Sequence, residues 1–156
     1  ANEERERHSL ELVVVTEPTP MGTGGALRLS LPHVSTPLAL VLNGDSFCRV
    51  DLAALLAAER EDRARAVMAL IEVNDASRFG SVAIDSDGAI CGFHEKVDTA
   101  GPGLINAGIY LLPQSVTADI KADREVSLDH LAVRQRCQPV LSRDILVTDA
   151  GPTEAR

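Results

Sequence analysis

Pro20-Met21-Gly22-Thr23-Gly24-Gly25-Ala26, followed by the apolar run Leu38 to Leu42 and then by Asn43-Gly44-Asp45, is the stretch on which the reading of this chain turns. A glycine-rich loop, Gly22 to Gly25, opens a predicted helix that starts at Ala26-Leu27-Arg28-Leu29 and ends near Pro32. Leu38 to Leu42 has almost no polar side chains and reads as a buried strand of the parallel, central kind. Asp45 stands just past its end. Loop glycines let backbone N–H groups come close to a phosphate-bearing ligand, and a carboxylate beyond a strand can hold a divalent cation beside it. The pair points to nucleotide chemistry.

Outward from this stretch, strand and helix signals alternate. Leu10 to Thr16 reads as a buried strand stopped by Pro18 and Pro20. Asp51 is placed to cap a helix over Leu52 to Glu61, with Leu52, Leu55 and Leu56 on its inner face. Ala66 to Val73 is a third apolar strand. Ser81 to Ile84 and Ala89 to Phe93 flank the turn signal Asp85-Ser86-Asp87-Gly88 and predict a hairpin. Leu104 to Leu112 is a further strand, interrupted by Gly108 and ended by Pro113. Helices are expected over Ser115 to Ala122 and Ser127 to Cys137, and a last short strand over Ile145 to Val147, leading to Asp149. Alternation, a hairpin insertion and a return to the sheet predict one three-layer α/β domain with a mixed sheet over residues 1–156.

Composition narrows the function classes. The 156 residues carry a formal net charge of -8, with no cluster of Lys and Arg, and only 3% aromatic residues. Nucleic-acid binding needs the cationic cluster and usually stacking platforms, so it is not expected. No apolar run has the length of a membrane span, and the charged start Ala1 to His8 has no signal-peptide core. Cys48, Cys91 and Cys137 are odd in number and widely spaced, without Cys-x-x-Cys. They predict reduced thiols in a cytoplasmic protein instead of disulfides or a zinc site. His8, His33, His94 and His130 show no metal-ligand spacing.

Taken singly, the candidate residues have plain structural readings. Gly22 to Gly25 reads equally as an ordinary strand-to-helix loop, Asp45 as a turn residue after Gly44, and Gly108 as a bulge. Glu95-Lys96 reads as a solvated pair and Asp149 as a surface carboxylate. Asn106 differs, because an amide inside an apolar strand must be hydrogen-bonded by something.

In chain order, Pro20 to Ala26, Leu42-Asn43-Gly44-Asp45, Phe79-Gly80, Gly88, Phe93-His94-Glu95-Lys96, Ile105-Asn106-Ala107-Gly108-Ile109-Tyr110 and Asp149 to Glu154 together resemble the sugar-1-phosphate nucleotidyltransferases. The likeness is to those guanylyltransferases that act on mannose 1-phosphate or D-glycero-D-manno-heptose 1-phosphate, and it runs from about Leu12 onward. The resemblance implies a Rossmann-like nucleotidyltransferase fold and transfer of a nucleoside monophosphate to a sugar 1-phosphate, with pyrophosphate leaving and Mg²⁺ as cofactor. GTP is the implied donor, with dTTP or UTP as alternatives, and a homo-oligomer is among the expectations. It implies that Gly22, Thr23, Gly24 and Gly25 pack against base and ribose, and that Asp45 and Asp149 are metal carboxylates. It further implies that Gly80, Glu95, Asn106 and Gly108 surround the sugar while Lys96 meets its phosphate. Members of that family open with Gly-Gly-x-Gly-Thr-Arg and Pro-Lys around the triphosphate. Neither motif occurs here, so the implied domain lacks its first βαβ unit. A binding relative without turnover and a purely structural module are the alternative readings.

Overall fold

The computed structural model describes residues 11–61, 66–94, 101–117, 120, 127–142 and 144–146. In chain order the elements are α1 (Gly22–Ser30), a 3-10 turn (Leu31–His33), β1 (Leu38–Leu42), β2 (Phe47–Arg49), α2 (Leu52–Glu61), β3 (Val67–Val73), β4 (Ser81–Ile84), β5 (Ile90–His94), β6 (Gly103–Pro113), α3 (Gln114–Thr117), α4 (Leu128–Arg134), β7 (Gln138–Ser142) and β8 (Asp144–Leu146). The main sheet has the order β1-β6-β3-β7. β6 runs antiparallel to both β1 and β3, and β7 runs parallel to β3, so the sheet is mixed. β2 pairs with β8 and β4 with β5 in two small antiparallel ribbons.

The sheet separates two apolar layers. Ala66, Met68 and Leu70 point to one side and join Leu27 of α1, Leu128 and Leu131 of α4, and Val82 and Ile90 of the hairpin. Val67, Ala69 and Ile71 point to the other side, with Leu55 of α2 and Ile105, Ala107 and Ile109 of β6. This alternation is the strand period of two made visible. Helices on both faces give the three-layer α/β arrangement that the sequence predicts.

Several local expectations need correction. Residues 11–17 form no strand, and Leu12, Val13 and Val14 are exposed. Their apolar character has no ladder to join among the described residues, and an extended segment without backbone partners gains little by burial. β1 is not a central parallel strand. It pairs only with β6 among the described residues, antiparallel, and leaves Leu40 and Leu42 exposed. In α2 only Leu55 is deeply buried, with Ala58 beside it, whereas Leu52 and Leu56 are exposed. Residues three apart share a helix face, and Leu56 is turned roughly 100° from Leu55. Asp51 does cap this helix, its Oδ1 accepting from the Ala53 and Ala54 N–H groups at 2.9 and 3.1 Å.

α1 starts at Gly22, so Gly22 to Gly25 are its first turn and not a loop ahead of it. A Cβ on Gly25 would lie 2.5 Å from the Met21 Cβ, so close packing requires glycine there. α4 is shorter than the expected Ser127 to Cys137. Ser127 Oγ accepts from the Asp129 N–H at 3.1 Å to start it, and Arg136 at φ 49 turns the chain out of it. β2 and β7 are strands that the sequence reading did not assign.

Candidate active site

Everything that the sequence singled out on β1 and β6 converges on a bulge in β6. The pairing with β3 passes from Met68↔Tyr110 to Leu70↔Asn106, so β6 carries two more residues than β3 across this interval. Gly108 sits in the bulge at φ +72, which side-chain-bearing residues rarely adopt. Its carbonyl accepts from the Asn43 N–H at 2.8 Å, and a Cβ on Gly108 would stand 2.8 Å from Asn43 Nδ2. The bulge therefore grips the end of β1 and fixes the start of the Asn43-Gly44-Asp45 loop.

Asn106 is the second anchor. Its Oδ1 accepts from the Gly108 N–H at 2.8 Å, and its Nδ2 donates to Tyr110 Oη at 2.6 Å and to Asp129 Oδ1 at 2.9 Å. The Gly108 N–H sets the amide's orientation, because a flipped Asn106 would oppose two donors. The amide that the sequence expects to need partners is half-buried, and it is satisfied within β6 and by α4. Burial, more than any other influence, pushes the Tyr110 hydroxyl above its ordinary value; the Asn106 hydrogen bond opposes this and the Asp129 charge adds to it. Tyr110 is therefore a neutral spacer at physiological pH.

The same strand end joins α1. Thr23 Oγ1 accepts from the Leu128 N–H at 3.0 Å, one residue before Asp129. Hydrogen bonds run from the β1 end through Gly108 and Asn106 to α4, and from α4 to α1. Thr23, Asn106 and Gly108 are thus linked through α4, Gly24 and Gly25 are buried in the first turn of α1, and Asp45 and Gly80 each join Asn106 in the lining of a cleft.

Two clefts open there. One, of about 200 Å³, has Asp45, Ser46, Phe47 and Cys48 along one wall and Ile105, Asn106 and Ala107 along the other. The second, of about 170 Å³, is lined by Gly80, Val82, Phe93, His94, Asn106 and Asp129. Phe79 and Asn106 belong to both. Asp45 is exposed, and its Oδ1 accepts from Ser46 Oγ at 3.1 Å.

Glu95, Lys96 and Asp149 lie outside the described residues. The elements that lead to them are described. β5 ends at His94, in the second cleft, and Leu146 of β8 pairs with Phe47, two residues past Asp45. No group of three or more His, Cys, Asp or Glu side chains gathers into a metal site among the described residues. The sequence reading missed Asp129 and Asn43. Asn43 was legible as the neighbour of Gly44-Asp45, but Asp129 reaches Asn106 only through tertiary packing.

Comparison with known proteins bears on the family and the fold. Residues 2–150 match the family model described as nucleotidyl transferase. The chain is 36% identical over 120 residues to mannose-1-phosphate guanylyltransferase of Mycobacterium tuberculosis, covering 77% of this chain and 33% of the relative. It is 38% identical over 113 residues to D-glycero-alpha-D-manno-heptose 1-phosphate guanylyltransferase of Campylobacter jejuni, covering 72% of this chain and 48% of the relative. The chain thus spans between a third and a half of the length of these relatives. Among solved structures, HddC from Yersinia pseudotuberculosis complexed with GMP-PN superposes with a TM-score of 0.70 at 26% identity, covering 82% of this chain and 56% of that one. A matching family model over nearly all of the chain and the same fold lead to one conclusion: this chain belongs to the nucleotidyl transferase family.

Proposed function

We propose that the chain carries the acceptor site and part of the donor site of an enzyme that moves a nucleoside monophosphate from a nucleoside triphosphate to a sugar 1-phosphate. One observation carries this reading. The cleft rimmed by Asp45 and the cleft beside Gly80 share Phe79 and Asn106. A phosphate chain at Asp45 and a sugar beside Gly80 would be neighbours, as in-line attack requires. GTP is the favoured donor and mannose 1-phosphate or a manno-heptose 1-phosphate the acceptor, a choice supported by the names of the relatives; dTTP and UTP are the alternatives.

An oxygen of the sugar phosphate forms a bond to the donor's α-phosphorus, and the bond from that phosphorus to the bridging oxygen breaks, releasing pyrophosphate. The attacking phosphate is already ionised at neutral pH, so the protein need not supply a general base. Its task is to position two anions and to offset their repulsion. The first turn of α1, Gly22 to Gly25, has backbone N–H groups without intrahelical partners, and these are the groups we assign to the donor nucleotide. Asp45 fits Mg²⁺: it is an exposed, oxygen-only ligand, and this ion usually takes one or two carboxylates and fills its shell with water and phosphate. When bound there, Mg²⁺ would neutralise phosphate charge. Asp149 is its proposed companion, a role supported by the register that sets β8 beside the Asp45 loop. Glu95 as acceptor for sugar hydroxyls and Lys96 as counter-charge to the sugar phosphate are supported by their position directly after His94.

The three described cysteines are free, and no described helix is long and apolar enough to cross a membrane. Both support a cytoplasmic setting. Exposed Leu40 and Leu42 support a homo-oligomer.

Phosphorus NMR of GTP, mannose 1-phosphate and Mg²⁺ with this chain tests the reading. Because the chain carries only part of the donor site, shifted or broadened phosphorus resonances of mannose 1-phosphate and GTP are expected with the unaltered chain, and any pyrophosphate and GDP-mannose would show turnover outright. Asp45→Asn should weaken the Mg²⁺-dependent effect on GTP and abolish any turnover while leaving the circular dichroism spectrum unchanged. An unchanged response in Asp45→Asn removes Asp45 from the site, and neither binding nor turnover with mannose 1-phosphate and GTP, dTTP or UTP overturns the proposal.

A further inference from the structure

Asn106 has spent its amide. Both Nδ2 protons go to Tyr110 Oη and Asp129 Oδ1, and one of the two Oδ1 acceptor sites is taken by the Gly108 N–H. In this arrangement Asn106 has no proton to offer a ligand. Asp129 is placed differently. Its Oδ1 accepts from Asn106 at 2.9 Å and, more weakly, from Tyr110 Oη at 3.5 Å. Its Oδ2 makes no hydrogen bond among the described residues, and the side chain lines the cleft beside Gly80. Phe79, Val82 and Phe93 give the same cleft apolar surface, and His94 is its other titratable side chain. Apolar surface beside a fixed carboxylate acceptor suits a sugar ring, which offers both C–H groups and hydroxyl donors.

We propose that Asp129 selects the acceptor: its Oδ1 locks Asn106 in place, and its Oδ2 accepts a hydrogen bond from one hydroxyl of the sugar of the incoming sugar 1-phosphate. This rests on the reading of the Gly80 cleft as the sugar site and adds to it the residue that discriminates among sugars. Three contacts hold the carboxylate's geometry. The Ser127 Oγ fixes the Asp129 backbone at 3.1 Å, the Asn106 amide fixes Oδ1, and Tyr110 backs both. A pre-set acceptor discriminates because a sugar without the matching hydroxyl leaves it desolvated and unpaired.

The test couples a change in the protein to a change in the ligand. Calorimetric titration compares mannose 1-phosphate with its 2-, 3-, 4- and 6-deoxy analogues on the unaltered chain, on Asp129→Ala and on Asp129→Asn. A hydrogen bond to a charged group is worth about ten- to hundredfold in affinity. One deoxy analogue should therefore bind the unaltered chain at least about tenfold more weakly than the parent. Asp129→Ala should bind the parent and that analogue equally, while the other three deoxy analogues keep their original ratios to the parent. Asp129→Asn keeps the side chain's shape and an acceptor oxygen, so it should retain part of the preference and an unchanged melting temperature. If every parent-to-deoxy ratio is the same in all three proteins, the role of Asp129 is overturned while the sugar site stands. If the unaltered chain binds neither mannose 1-phosphate nor any analogue, the sugar site itself falls, and this inference with it.

Discussion

β1 and β3 are near-equal in apolar character and opposite in circumstance. β3, Val67 to Val73, has β6 on one side and β7 on the other, with helices above and below, and Val67 to Leu70 are fully buried. β1, Leu38 to Leu42, has β6 alone among the described residues, and Leu42 is 60% exposed. The difference shows that a strand's burial is set by its neighbours and not by its own residues. It also divides labour. β3 holds the fold together, whereas β1 leads to Asp45 at the rim of the proposed site and has its end gripped by the β6 bulge.

The largest break in this contrast should come from Leu70→Ala. Leu70 has no exposed surface and packs in the layer under α1 and α4, so a loss of about 2–5 kcal/mol is expected from urea denaturation. Next is Gly108→Ala, where φ +72 and the Asn43 contact both oppose a methyl group; about 1–3 kcal/mol is expected. The same variant should weaken ligand binding at Asp45, because the grip on Asn43 loosens. Leu42→Ser, on the exposed strand, should change the stability of the isolated chain by no more than about 0.5 kcal/mol. An effect as large as that of Leu70→Ala would mean that β1 is covered in solution.

Two smaller measurements sharpen the picture at its edges. The Ala89 N–H, 3.0 Å from Asp85 Oδ1, is the chief cause holding that carboxyl below its ordinary value of 3.8; burial opposes, and the Asp87 N–H and Arg136 assist. A carboxyl depressed in the folded state favours folding above its unfolded pKa, and this contribution disappears as pH falls through the folded value. Asp85→Asn should therefore narrow its stability gap to the unaltered chain only below about pH 4, as followed by acid titration of the circular dichroism signal. Finally, burial pushes the Cys137 thiol up to about 12, while Cys91 is exposed. A maleimide at pH 7 should label Cys91 in the native chain and reach Cys137 only after denaturation.

Much of the layer plan was legible. The seven-residue run of β3, the Asp85 to Gly88 turn and the Asp51 cap each carry their own local signal, and each is where the sequence puts it. What escaped was decided at a distance. β7 contains Pro139 and no alternation, and it is a strand because it lies beside β3, at the sheet edge among the described residues, where a missing N–H is tolerated. Residues 11–17 look more like a strand than β7 does, yet they have no strand partner among the described residues. In the site, the need of Asn106 for hydrogen-bond partners was readable, but not that Asp129, 23 residues on, would meet it. The run of glycines from Gly22 suggested a loop, but they form the first turn of α1, where a Cβ on Gly25 would collide with Met21.

β6 compresses two kinds of evolutionary pressure into one short span. Ile105, Ala107 and Ile109 face the α2 layer, while Asn106 and Gly108 between them build the cleft and its grip on the Asp45 loop. A saturation scan along this strand would couple loss of protein abundance to loss of ligand recognition, most closely at Ile105 and Ala107, which face the α2 layer and also line the Asp45 cleft, so that neither property could drift there without the other restraining it.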